Sequence, residues 1–407
     1  MERVNDGSGA GDGQGTAVAM ISPYRSAYEP EIAFAGDSAM KWYTRRLALA
    51  LVQAGLPVDI VTTRRDAATG TAFDDDGIRV QPPIDSRPLH FLVGIFRRLK
   101  SLPDRIVHVQ HELYGYGNLV NAFTLPLVLA TARALFGKRV VVTIHGVFPP
   151  RAIDRSFTSS NAIRFPVALV RLLWFWITAA LCAVSERVQV HEHDQARTLT
   201  RFYHCAPGKI VVIPIGIEEH PGALARPATE VLLFFGTISR RKGIVELIAA
   251  LPAILRARPN SRVVIAGDVP ARLRSTLDVR RLLLDAGIEM SRVELFGFVP
   301  DHALPDLFAQ ADVMILPYQI SVAASGPLAL ALGNDVPVLL SNVFAGSFPE
   351  APLLFEPTSV GIQNAVERFF ADPQARDDLQ QFWANVRRER SWRSVAQALR
   401  RVYTALE

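Results

Sequence analysis

The sequence predicts an α/β protein of two units, each a parallel sheet covered by helices on both faces, the units facing one another across a cleft. Two observations carry this expectation. Short apolar runs alternate with helical stretches through most of the chain, the pattern of strands buried on both faces and joined by crossover helices. The alternation stops at a stretch rich in Pro, Gly and Ala, residues 218–229, and then restarts. A length of 407 residues with 49% apolar composition also exceeds one ordinary core.

In chain order, residues 17–21 (AVAMI) read as a strand, 40–54 as a helix ended by Gly55, and 58–62 (VDIVT) as the next strand. This is a βαβ opening, right-handed by the usual crossover rule. Further strands are expected at 106–110 (IVHVQ), 140–144 (VVVTI), 181–184 (LCAV) and 210–214 (IVVIP). After the linker the series is 231–235 (VLLFF), a Gly-rich turn, a helix at 245–257, and strands at 262–266, 293–296, 313–316 and 336–340. Residues 373–407 read as amphipathic helix, with Trp392, Val395, Ala396, Leu399, Val402 and Leu406 on one face. The expected division is a disordered tail 1–16, a first domain 17–217, a linker 218–229, a second domain 230–384, and a C-terminal helix 385–407 packing back on the first domain.

The net charge of +5 suits an anionic partner such as nucleotide phosphate or a lipid headgroup. It does not suggest nucleic acid, because the arginines are spread along the chain and form no run with interleaved aromatics. Two cysteines, Cys182 and Cys205, make no disulfide framework and have no metal-type spacing with histidine, so a reducing cytoplasm is the expected setting. The opening 15 residues lack the basic and apolar blocks of a secretory signal. Residues 165–184 approach the roughly 20 apolar residues of a spanning helix but contain Pro166 and Arg171, and read as a buried helix. Residues 90–100 join an apolar run to Arg97, Arg98 and Lys100, which fits either a peripheral contact with an anionic membrane surface or a buried helix with a charged end.

Open α/β sheets bind ligands beyond the carboxyl ends of their strands, which directs attention to the loops. The loop after 231–235 holds Gly236, Thr237, Arg240, Arg241, Lys242 and Gly243 before a helix. Glycines permit close backbone approach, the helix start favours an anion, and three cations match a diphosphate; a solvated basic turn is the alternative. The loop after 313–316 ends in Ser325, Gly326 and Pro327, a helix cap whose free N–H groups can hold phosphate or serve structure alone. In the first unit, His145 follows a strand, as do His111 and Glu112, and Gly36, Asp37 and Ser38 lie after the first strand. His145 is placed to donate to a sugar hydroxyl or phosphate, or to serve structure alone; His111, Glu112, Asp37 and Ser38 read as cleft-lining or acceptor contacts, with an ordinary βα loop as the alternative for Asp37 and Ser38. A two-residue His–Glu pair with no third ligand makes no metal site.

These loops, in this order, resemble the retaining glycosyltransferases of GT-B fold, the group 1 or family 4-like enzymes of bacterial polysaccharide and glycolipid synthesis. The strings are 47–55 (LALALVQAG), 141–146 (VVTIHG), 183–185 (AVS) and 209–217 (KIVVIPIGI) in the first unit. In the second they are 235–236 with 242–243, 264–268 (VIAGD), 296–300 (FGFVP), 311–318 (ADVMILPY) and 336–338 (VPV). The resemblance spans about 17 to 403. It implies two Rossmann-like domains, a nucleotide-sugar donor, a saccharide or lipid-linked acceptor, and no metal cofactor. It also implies a donor diphosphate held by Lys242 with Arg240 or Arg241, a sugar contact at His145, and Gly36 near the phosphates.

The sequence departs from that family in two places. Many members carry two glutamates flanking the helix that here begins near Pro327; Ala323 and Leu330 or Ala331 stand there instead. Asp335 stands where glycine precedes the Val-Pro-Val turn. Three readings therefore stand open on sequence: a hexosyltransferase for exopolysaccharide or glycolipid, a catalytically silent binding protein of the same fold, and a nucleotide-sugar epimerase relying on His111, Glu112 and His145.

Overall fold

The structure, a computed structural model, describes residues 17–24, 38–64, 71–112, 115–160, 163–218, 230–270, 273–320 and 325–407. The tail 1–16, linker residues 219–229, and Gly36 and Asp37 lie outside these, and of Ser38 only the backbone is described.

The first domain contains β1 (Val18–Ile21), α1 (Ser38–Gln53), β2 (Val58–Val61), β3 (Thr63–Arg64), β4 (Phe73–Asp75), β5 (Ile78–Val80), β6 (Ile84–Asp85), α2 (Pro88–Ser101) and β7 (Ile106–His111). It continues with α3 (Leu119–Phe136), β8 (Arg139–Ile144), α4 (Arg155–Ser160), α5 (Val167–Val184), β9 (Arg187–Val190), α6 (His193–Tyr203) and β10 (Ile210–Val212). The second contains β11 (Val231–Phe235), α7 (Ile244–Ala257), β12 (Arg262–Ala266), α8 (Val279–Asp285), β13 (Val293–Gly297), α9 (Leu304–Ala309), β14 (Val313–Leu316), α10 (Gly326–Gly333), β15 (Val338–Leu340), α11 (Ser359–Ala371) and α12 (Pro373–Glu389). The last helix is α13 (Trp392–Thr404).

The first sheet runs β10-β9-β8-β7-β1-β2-β5-β4 and is parallel except for the β4–β5 hairpin. The second runs β13-β12-β11-β14-β15 and is parallel throughout. In each, strand order reverses beside the first strand, between β1 and β7 and between β11 and β14. Those reversals open the crevices where such sheets take ligands.

Sequence and structure disagree at residues 181–184. They form the end of α5, capped at Ser185, and the strand is β9, a few residues on. An apolar stretch too long for a strand continues as helix while its pattern holds. Nor is α5 fully buried: Val170, Ile177, Leu181 and Val184 face the domain while Leu169, Leu172 and Trp176 face out.

The expected C-terminal helix is two helices. The chain leaves α12 at Arg390, past the expected boundary at 384, and α13 enters the first domain. There Trp392, Val395, Ala396, Leu399 and Tyr403 join the core formed by β1, β2 and α1. At this second crossing Ile217 N–H donates to Arg390 O at 2.7 Å, and Trp392 lies so close to Gly216 that a Cβ there would sit 2.2 Å from its ring. The Arg390 guanidinium grips the Glu192 carboxylate of the first domain through Nη1 at 2.8 Å and Nη2 at 3.4 Å.

Candidate active site

The second-domain site is assembled by backbone that admits no side chains. Gly236 has φ +122°, and a Cβ on Gly267 would come within 2.0 Å of its carbonyl oxygen. Gly243 has φ +77°, and a Cβ there would lie 1.8 Å from the Pro317 carbonyl oxygen, so the loops after β11 and β14 touch at that point. Gln319 N–H donates to Arg241 O at 2.9 Å and ties them further.

This contact brings Lys242 over Tyr318, with Nζ 3.6 Å from the ring centroid. The ammonium meets a π face, not a carboxylate. Burial, and then the neighbouring Arg241, push its pKa down to about 7. Thr237, Arg240 and Arg241 are exposed on the same loop. Tyr318 is fixed from both ends: its hydroxyl lies 3.2 Å from Ser325 Oγ, and its carbonyl accepts from Ser341 Oγ at 2.7 Å. Ser325 caps α10, its Oγ accepting from Leu328 N–H at 3.3 Å, with Gly326 and Pro327 opening the helix. Residues 321–324, including the position of the family's first glutamate, lie outside the described residues. The second position falls on Leu330 or Ala331 of the apolar helix α10. Asp335 takes φ +58°, the left-handed conformation that favours glycine.

The first-domain site is a polar cluster on one face of β7, β8 and β9. His108 and Gln110, Thr143 and His145, and Gln189 and His191 alternate along their strands, so all point to the face that α13 and α1 cover. His145 Nδ1 lies 3.1 Å from His191 Nε2, and its Nε2 lies 2.9 Å from the Gln110 side-chain amide. His191 Nδ1 sits 3.0 Å from the Ile213 carbonyl oxygen and must donate to it. Its Nε2 therefore accepts from His145 Nδ1–H, and the lone pair of a neutral His145 Nε2 then faces Gln110 Oε1 and is satisfied once that amide turns to present its NH2. The cluster extends through His108, bonded to Thr143 Oγ1 at 2.7 Å and to the Tyr403 hydroxyl at 2.6 Å. Burial holds His191 down at about 4 and His108 at about 3; burial and the neighbouring histidines hold His145 well below the ordinary range. Tyr43 stands edge-on to His145, 4.8 Å between centroids.

His111 lies beside this cluster, stacked on Tyr116, with Nδ1 buried and unpartnered and its pKa pushed down by burial to about 4. Glu112 is exposed, its carbonyl accepting from Gly115 N–H at 3.1 Å. The structure thus joins Lys242 to the Ser325 cap through Tyr318, and His145 to the strand ends beside His111. A crevice lined by Glu192, Ile215, Ser325, Leu328 and Arg390 brings the Ser325 side against the first domain. Sequence reasoning misses Tyr318, His191, Gln110 and Tyr403. The period-two polar alternation in β7 and β9 is the signal that could have revealed the buried cluster.

Two doubly wound domains joined by two chain crossings, with a cationic loop at one switch point and polar strand ends at the other, define the class of GT-B glycosyltransferases. Two family descriptions match: "Glycosyltransferase Family 4" over residues 40–220 and "Glycosyl transferases group 1" over residues 229–372. The chain belongs to these group 1, family 4-like glycosyltransferases and is a transferase. It is 26% identical over 363 residues to D-inositol 3-phosphate glycosyltransferase of Segniliparus rotundus, covering 81% of this chain and 77% of the relative. It is 27% identical over 190 residues to GDP-mannose:cellobiosyl-diphosphopolyprenol alpha-mannosyltransferase of Xanthomonas oryzae pv. oryzae, covering 46% of this chain and 45% of the relative. Sucrose-phosphate synthase of Thermosynechococcus elongatus shares the fold, with a TM-score of 0.74 at 20% identity over 96% of this chain and 99% of that one.

Proposed function

We propose that the chain transfers a hexose from a nucleotide-sugar donor to a saccharide or lipid-linked acceptor, with retention at the anomeric carbon, in exopolysaccharide or glycolipid synthesis on the cytoplasmic side of the membrane. The observation that carries the reading is Lys242, a half-buried lysine whose ammonium lies against a tyrosine face just before α7, beside two exposed arginines. A diphosphate supplies the charge that this loop lacks. Relatives support the donor and acceptor classes, since one is named for GDP-mannose and a diphosphopolyprenol-linked sugar.

In this reading Lys242, Arg240 and Arg241 stabilise the departing diphosphate, with Gly236 and Thr237 beneath it and the N–H groups behind Ser325 and Gly326 facing it, without a metal. Retention is favoured by the state of His145, whose ring nitrogens both have partners, leaving the donor phosphate to take the acceptor proton. His145 then shapes the sugar pocket, while His111, with its unpartnered Nδ1, and Glu112 meet the acceptor. A panel of UDP and GDP sugars, read by released nucleoside diphosphate with and without EDTA, tests the reading. Release from no donor sinks it, EDTA-sensitive release sinks the metal-free step, and an inverted product anomer by NMR sinks retention.

A further inference from the structure

Helices α2, α3 and α5 pack side by side on one flank of the first sheet. Two of them, α3 and α5, are long and apolar enough to cross a membrane, yet each has one face seated on the domain. On α5 the seated face is Val170, Ile177, Leu181 and Val184; Leu169, Leu172 and Trp176 form a second apolar stripe, preceded by Phe165. At about 100° per residue the two stripes lie roughly a third of a turn apart. Trp176 is 61% exposed and Leu172 53%.

The exposed face of α3 continues this surface with Val120, Leu127 and Leu135, the last two 65% and 67% exposed. Its threonines spend their hydroxyls on the helix itself: Thr124 Oγ1 donates to Val120 O at 3.0 Å and Thr131 Oγ1 to Leu127 O at 2.9 Å. What they show outward is methyl. The one charged residue of α3, Arg133, is paired with Glu186.

Charge collects at one end of this surface. Between residues 151 and 171 stand Arg151, Arg155, Arg164 and Arg171, all exposed, against a single acid, Asp154. Asp154 is already engaged, capping α4 by accepting from Phe157 N–H at 2.8 Å. On α2, Phe91, Ile95 and Leu99 are buried and Arg98 donates to Gln81 Oε1 at 2.7 Å, so its basic end, which fitted either a membrane contact or a buried helix with a charged end, is partly committed to the domain, as Arg171 of the collar is through its Nε bond to Ile153 O at 2.8 Å.

We infer that the outer faces of α5 and α3 dock the first domain on an anionic lipid leaflet, the arginine collar at headgroup depth and Leu172 and Trp176 within the acyl boundary. A helix that follows a parallel strand begins at that strand's carboxyl edge, so the collar, which lies in the β8–α5 connection, shares an edge with His145 and His111. Docking thus turns the acceptor side of the cleft toward the leaflet. The acceptor class is then a saccharide carried on a membrane lipid; this last step rests on the transferase reading, and the docking does not.

The test is co-flotation of the full chain with vesicles of phosphatidylcholine alone and of phosphatidylcholine mixed with phosphatidylglycerol, with donor turnover measured on the same preparations. Binding is expected to the mixed vesicles, to weaken with salt, and to fall roughly tenfold or more in Arg151→Ser/Arg155→Ser. Leu172→Glu/Trp176→Glu should abolish it while acceptor-independent donor hydrolysis persists. Brominated lipids should quench the wild-type tryptophan emission and lose that effect in Trp176→Phe, a check that does not depend on the charged variants folding. Donor turnover without flotation overturns the docking. So does a dimer in light scattering that these substitutions dissociate, with no vesicle binding. Flotation without turnover of any donor supports the docking and removes the proposed hexose transfer instead.

Discussion

The two strand-end clusters facing the cleft solve opposite problems. In the first domain, His108, Gln110, Thr143, His145, Gln189 and His191 are polar but neutral, and they satisfy one another and Tyr403. In the second, Lys242 is a cation whose described partner is an aromatic face. A closed network gains from staying as it is, whereas a half-buried cation without a carboxylate partner among the described contacts gains from the arrival of an anion. The difference teaches that the donor side is completed by its ligand and that the first-domain strand ends are a prebuilt wall.

The largest expected effect follows from the open side. Lys242→Ala should lower kcat/KM for the donor about a hundred- to a thousandfold, the usual cost of removing one preorganised charge from a transferring group. Folding should be little affected, because truncation removes a half-buried charge and leaves no polar group unpaired. A Lys242→Ala enzyme with near-normal donor kinetics would break the comparison. On the closed side, His191→Ala leaves His145 Nδ1–H buried without its acceptor and leaves the Ile213 carbonyl only the longer bond from Gln189 at 3.4 Å. It should cost about 1–3 kcal/mol in the urea unfolding midpoint while shifting donor KM only modestly.

How much of this is legible in sequence follows from the range of the interactions. The strands β11, β12 and β14 read directly, because each is a continuous apolar run bounded by a turn or a polar residue. The Ser325 cap and the Lys242 loop read too, being local patterns. The pairing of Lys242 with Tyr318 does not, since the residues meet only once β11 and β14 pair and Gly243 lets the loops close. Nor does the face of α5: the same apolar letters serve the buried stripe and the exposed one. His145 is legible as a strand-end histidine, but the engagement of both its nitrogens depends on β7 and β9 lying on either side of β8.

The pH dependence separates the clusters again. The Lys242 pKa near 7 lies below its ordinary value of 10.5, so the empty protein bears the cost of a partly desolvated ammonium below pH 7 and sheds it as pH rises from 7 toward 10.5. Donor binding reverses that preference, because a diphosphate favours the charged form. Donor affinity should therefore fall above pH 7, approaching tenfold per pH unit, with proton uptake measurable by calorimetry in buffers of different ionisation enthalpy. The first-domain histidines work in a lower window. Their pKa values are depressed, to about 4 for His191, so the unfolded chain binds protons first, and stability should drop as pH falls from the ordinary histidine range of about 6.5 toward 4. A donor-affinity limb that persists in Lys242→Gln would assign the titration elsewhere.

The smallest effect tests what Tyr318 does for the lysine. Its ring attracts the ammonium, a contribution of about 0.5–2 kcal/mol, and its hydroxyl adds a link to Ser325. Tyr318→Phe keeps the face and drops the link, so donor KM should move by about twofold or threefold, in line with one modest hydrogen bond. Tyr318→Leu drops the face as well. If the ring holds Nζ where the diphosphate needs it, the leucine variant raises donor KM severalfold, and the pH limb moves below 7 because the charged form has lost its partner. If the ring instead holds the ammonium away from the donor, the leucine variant binds more tightly and the limb still moves down. The first result is expected, because Gly243 and Gln319 bind the two loops together whether or not the ring is present, leaving the lysine little room to swing elsewhere.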